Sequence, residues 1–131
     1  MVIGWFFVII CALFIILWCR HPRLTDPMIE EIRASLIPVH PQIRTIPIYA
    51  ARRSYTLNKR EVFMCLKDEN GDYYDRNMIV FVFLHELAHV LNDEIGHGLR
   101  FQAIFRELLT RAIALKLYDP SVPLVKNYCT F

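Results

Sequence analysis

Phe83-Leu84-His85-Glu86-Leu87-Ala88-His89-Val90 decides how the rest of the chain is read. His85 and His89 stand four residues apart, so on a helix they share one face, a turn from each other. Two imidazoles in that relation can both reach one tetrahedral zinc ion. Glu86 lies about 100° further round the helix, off the ligand face but placed to hold a water at the metal and act as general base. Met78 to Leu84 leads into the motif as an unbroken apolar run. A buried helix carrying two histidines and a glutamate needs those groups satisfied. A metal does this; a chance pair of histidines on a charged face does not.

Working outward, Asp75 stands where it can cap this helix. By composition alone, Met78 to Leu84 would also suit a buried strand, but the histidine spacing and the continuation to Leu91 decide for a helix. Being apolar on all sides, it is expected to be the central, covered helix of the domain. Asn92-Asp93-Glu94-Ile95-Gly96 breaks it, and His97 follows eight residues after His89. A last helix is expected from about Leu99 to Leu117, with Phe101, Ile104, Phe105, Leu108, Ala112 and Leu115 as its buried stripe. Asp119-Pro120 stops it, and Pro123 to Phe131 reads as an extended tail. Three residues compete to be the third ligand. His97 needs only a loop to fold back, which Gly96 and Gly98 allow; Glu107 lies on the last helix; Asp93 would serve only if the motif helix continued. His97 is preferred.

Upstream, Asp26-Pro27 reads as an N-cap and first helical residue, opening a helix through Ile29, Ile32 and Leu36 that Pro38 ends. Pro38, Pro41 and Pro47 keep the next stretch extended and out of a sheet centre, and His40 among them reads as a surface histidine. Ile43 to Ala50 and Ser54 to Leu57 have weak strand character. Glu61 to Leu66 is the clearest strand, ended by the turn Asp68 to Asp72. Arg52, Arg53, Lys59, Arg60 and Lys67 gather around these strands. The plain reading is a solvated, edge-protecting set; the sharper ones are contact with anionic lipid head groups or nucleic acid. Without interleaved aromatic residues, nucleic acid is not expected as a partner.

Val2 to Trp18 contains no charged residue, with Trp5 and Trp18 near its ends and Arg20, His21 and Arg23 closing it. Seventeen helical residues span roughly 25 Å, the short end of what a bilayer core requires. No basic residue precedes the run and no small-x-small cleavage site follows, so a retained transmembrane anchor is expected over a signal peptide. All 15 Lys and Arg residues follow it, which places the domain on the cytoplasmic side of a single-pass protein. The expected division is therefore 1–23, an anchor with its basic flank, and 24–131, one domain with enough chain for a modest core. A net charge of +2 argues for no particular partner. The four cysteines are not expected to form a disulfide framework: Cys11 and Cys19 belong to the apolar segment, and Cys65 and Cys129 are far apart. A reducing compartment is consistent with this. Cys19 is an acylation candidate, though a buried thiol is the plainer reading.

His85-Glu86-Leu87-Ala88-His89, followed by Gly96-His97-Gly98 and Phe101, resembles the zincin metallopeptidases of the SprT-like and WLM kind. The resemblance covers roughly Asp26 to Leu117 and is closest to small members of large DNA viruses of algae and protists. It implies an α+β fold: a helix, a small antiparallel sheet, the central motif helix and a C-terminal helix, here preceded by the transmembrane helix. It also implies zinc on His85, His89 and His97, with an aromatic anchoring the helix after the third histidine. Nothing resembling the zinc ribbon of the DNA-repair members is present, and metzincins are excluded because no methionine follows Met78.

Two functions are expected from this. The first is a membrane-anchored zinc metalloendopeptidase with Glu86 as general base, acting on a protein or peptide that could pair along a sheet edge. Tyr73 or Tyr74 could add a hydrogen bond, though packing is the plainer role. The second is a structural membrane protein, such as a minor virion component with capsid or membrane protein partners, stabilised by its zinc. Its location would be a virion membrane.

Overall fold

The computed structural model describes residues 2–18 and 21–130. Its elements, in order, are helix α1 (Val2–Trp18), α2 (Pro27–Leu36), a 3-10 turn (Pro41–Arg44), strands β1 (Ile48–Ala50), β2 (Tyr55–Leu57) and β3 (Glu61–Met64), and helices α3 (Arg76–Leu91) and α4 (Leu99–Ala114). The α+β domain from α2 onward follows the expected order.

The N-terminal helix is a correction. No described helix is long and apolar enough to cross a membrane. α1 is uncharged but has 17 residues, a rise of about 25 Å against a hydrocarbon core of about 30 Å. The transmembrane anchor and single-pass placement fall with it. So do the cytoplasmic orientation and the virion membrane that rested on it. Residues Ile3 to Ile16 are exposed. Cys19 and Arg20, the acylation candidate and part of the basic flank, lie outside the described residues. The rest of that flank docks on the sheet. His21 Nδ1 meets the Tyr55 hydroxyl at 2.8 Å, and Arg23 makes a two-pronged bond to Glu61 at 2.8 and 3.2 Å.

The sheet is also a correction, being mixed rather than antiparallel. Its order is β1-β3-β2, with β2 antiparallel and β1 parallel to β3. β3 takes the centre because Val62, Phe63 and Met64 are buried on both faces. Its flat ring stack of Phe63 on Tyr55 has centroids 4.6 Å apart. Ala51 to Ser54 carry the chain from one edge to the other past the end of β3, a span four extended residues can make. Ile43 and Arg44, expected to open a strand, belong instead to the 3-10 turn. His40 caps that turn by accepting from Gln42 N–H, and Arg33 donates to the carbonyls of Ile43 and Ile46 at 2.7 and 2.8 Å.

Local signals serve the helices well. Asp26 accepts from Met28 N–H at 2.9 Å and Asp75 from Asn77 N–H at 2.8 Å, each satisfying an orphan donor of a first turn. α3 packs between the sheet and α4, with Ile79, Val80, Phe83, Leu84 and Leu87 fully covered. α4 ends at Ala114, earlier than Leu117. Lys116 turns left-handed there, and Tyr118, rather than the exposed Leu115, closes the core.

Cys65 and Cys129 form a disulfide, with Cα atoms 6.4 Å apart. This corrects the expectation of unpaired thiols and removes the ground for a reducing compartment. Sequence distance was a poor guide because the tail folds back: Cys129 lies against the end of β3, and Tyr128 packs on Tyr74 with centroids 4.8 Å apart.

Candidate metal centre

α3 presents His85 and His89 on one face, as their spacing dictates, and the loop after Leu91 returns His97 to them. Gly96 makes the return with φ +88, a left-handed backbone that a side chain would strain. His97 Nε2 lies 3.0 Å from His89 Nε2 and 3.2 Å from His85 Nε2. Nitrogens each about 2.0–2.1 Å from a tetrahedral zinc stand about 3.3 Å from one another. The three imidazoles therefore lie close enough to bind one metal ion, and an all-imidazole donor set suits zinc, copper, iron or nickel. Burial, then the neighbouring His89 and His97, push His85 down to about 4. Burial, His97 and Lys59 lower His89. Both rings are thus neutral at pH 7 and ready to ligate.

Phe101, the aromatic that the resemblance singled out, is buried beneath the cluster. Its ring lies 5.0, 4.4 and 4.8 Å from those of His85, His89 and His97. The competing ligands are engaged elsewhere: Glu107 pairs with Arg111 at 2.5 Å, and Asp93 with Arg100 at 2.9 Å. Tyr73 donates to Asp26 and Tyr74 accepts from Cys129 N–H, so neither serves the centre.

Glu86 stands outside the group of converging imidazoles but lines the same hollow, and is 6 % exposed. Thr56, in the middle of β2, donates from Oγ1 to Glu86 Oε2 at 2.8 Å and lies 3.0 Å from the Glu86 carbonyl. Burial raises the Glu86 carboxyl above its ordinary range, partly opposed by the Thr56 bond. That shift moves a carboxylate towards the range of a useful general base. Glu86 and His85 line two adjoining hollows. One, of about 520 Å³, runs between residues 54–59 and the loop 94–97; the other, of about 340 Å³, continues to Arg53, Phe81, Val82, Tyr128 and Cys129.

Thr56 and Tyr128 escape the sequence reading, and Lys59, read there only as one of the charges around the strands, serves the site instead. Lys59 Nζ donates to the carbonyls of Asn92 and Glu94, clamping the loop that bears His97. Asn58 and Lys59 both adopt left-handed backbone, φ 51 and 55, to make this reach. Such strain costs of order 1–3 kcal/mol per residue and persists where surrounding contacts demand it. An Asn at a hairpin turn was the available signal. Lys59→Met is expected to weaken metal affinity about ten-fold or more, the usual cost of losing a group that orients a ligand. Titration of the protein with zinc against a competing chelator measures this.

Over 87 residues the chain is 53 % identical to uncharacterized protein 136R of Invertebrate iridescent virus 6, covering 64 % of this chain and 49 % of that protein. Over 86 residues it is 49 % identical to uncharacterized protein 042R of Invertebrate iridescent virus 3, covering 65 % and 54 %. It is 39 % identical over 67 residues to uncharacterized protein R325 of Acanthamoeba polyphaga mimivirus, covering 50 % and 34 %. The chain thus spans about half the length or less of these relatives. No family model matches it, and no solved structure does.

Proposed function

We propose that the domain is a zinc-dependent peptidase of the zincin kind, with His85, His89 and His97 as metal ligands. The observation that carries this reading is Glu86: a buried carboxylate, steadied by Thr56, beside three converging imidazoles but not among them. A zinc site built only for stability has no use for such a base. A bound zinc ion supplies Lewis acidity towards a peptide carbonyl and lowers the pKa of a water at its open position towards about 7. The chain's own residues do the rest. Phe101 and the Lys59 clamp hold the imidazoles in place. Glu86, raised by burial, takes the proton of the attacking water on its carboxylate and passes it to the leaving amine. Thr56 keeps that carboxylate in one orientation. The outer strand β2 forms one wall of the trough, where an extended substrate backbone can lie.

Metal removal tests the reading. Chelation should abolish peptide hydrolysis, and one equivalent of zinc should restore it. His85→Ala and His89→Ala should lose the metal outright, and His97→Ala should weaken binding more than Glu107→Ala does. Hydrolysis that survives complete metal removal, or tighter dependence on Glu107 than on His97, would overturn the assignment.

A further inference from the structure

The two hollows beside the histidine cluster share Ser54, His85 and Glu86, so they form one trough that joins at these residues, with His89 and His97 lining the larger part. Its two ends differ in chemistry. At one end stand Ile95, fully exposed, and the carboxylate Glu94, with Lys59 already committed to loop carbonyls. At the other end Phe81, Val82 and Tyr128 form an apolar and aromatic wall, with Arg53 above it. Arg53, like Arg44, Arg52, Arg60 and Arg106, makes no ion pair among the described residues, and it is the arginine of these that lines the trough.

Tyr128 cannot supply charge of its own to this end. Its hydroxyl donates to the Cys65 carbonyl and meets Ser54 Oγ at 2.8 Å, and burial pushes it up to about 12, so it stays a neutral phenol. Arg53 is therefore the uncompensated charge of the far end. A guanidinium over a partly dry wall favours a carboxylate, which it can grip with two parallel N–H bonds. A polyanion such as nucleic acid fits poorly, because Glu86 and Glu94 lie along the same trough.

We propose that the trough selects peptides carrying an acidic side chain, Asp or Glu, at the position that falls against Arg53. This specificity rests on the peptidase reading for its catalytic consequence, but not for the binding preference itself. Arg52 provides an internal control. It is the preceding residue and also exposed, yet it lines a different hollow, with Leu24, Ala50 and Asp68.

The test uses short fluorescent peptides that are identical except for Glu, Gln or Lys scanned through each position. Both cleavage by the zinc-loaded full chain and binding to zinc-loaded Glu86→Gln, by fluorescence anisotropy, are measured. At one position Glu should be favoured over Lys by about five-fold or more, as expected for an ion pair exchanged for a repulsion. Arg53→Glu should reverse that preference, and Arg52→Glu should leave it unchanged. Peptides cut with no charge preference, or a preference indifferent to Arg53, would overturn the specificity and leave the peptidase standing. A preference in binding that reverses with Arg53→Glu, with no peptide cleaved, would keep the acidic-peptide site and discard the peptidase. Neither binding nor cleavage by any member of the set would discard both.

Discussion

Glu86→Gln should lower peptide hydrolysis by about 10²–10⁴-fold while leaving the fold and the bound zinc in place. The substitution is nearly isosteric, and Thr56 Oγ1 can still donate to the amide oxygen where it now donates to Oε2. Metal affinity should change little, since Glu86 stands outside the converging imidazoles. The stability change also has a definite sign. Burial raises the Glu86 carboxyl, so the folded state binds its proton more tightly than the unfolded chain does. Stability from that group is present at low pH and lost as pH rises through the raised value. Gln carries no charge to desolvate, so above that value Glu86→Gln should be as stable as wild type or slightly more so. An inactive variant that melts no earlier separates a catalytic base from a structural glutamate. The rival function, a zinc-stabilised scaffold, predicts instead that wild type and variant turn over peptides equally, or not at all, at matched zinc occupancy. Activity and melting temperature measured on the same metal-loaded samples decide between them.

What could be read in advance follows the range of the forces involved. The histidine pair, the caps Asp26 and Asp75 and the covered character of α3 are properties of a few consecutive residues. His97 was favoured over Glu107 because its glycine neighbours permit a tight return, and the structure brings His97 to the pair. The parallel pairing of β1 with β3 was hidden, since strand order depends on which strand the core covers from both sides. The short α1 shows a different failure: composition suggested a membrane span, and length decides against one. Thr56, Lys59 and Tyr128 act on residues 30 or more positions away. No spacing rule reaches that far. Each belongs to the support of the site rather than to its motif, and supporting residues carry no pattern of their own.

Cys129→Ser, or reduction of the disulfide in the full chain, should be the most destabilising change outside the core. The bridge closes a separation of 64 residues, and the chain-entropy account of such a loop gives about 4 kcal/mol, within the usual ~2–5 kcal/mol for a native disulfide. For a domain of this size the melting temperature should fall by roughly 10 °C or more. The loss should also be felt at the site, because the bridge anchors Tyr128. A closed ring of bonds depends on that anchor: Cys65 N–H donates to Ser54 Oγ at 2.9 Å, Ser54 meets the Tyr128 hydroxyl, and Tyr128 donates back to the Cys65 carbonyl. With the tail released, the wall beside Glu86 and His85 opens to water. The Glu86 carboxyl should then move back towards its ordinary range, and the acid limb of the pH–rate profile should shift to lower pH with it. Tyr128→Phe is the matched control. It removes only the hydroxyl, keeps the bridge and the ring against Tyr74, and should cost about 1–3 kcal/mol from the groups left unpaired. If Cys129→Ser melts with wild type, or lowers stability without moving the pH profile, the tail is not the wall of the site that its contacts describe.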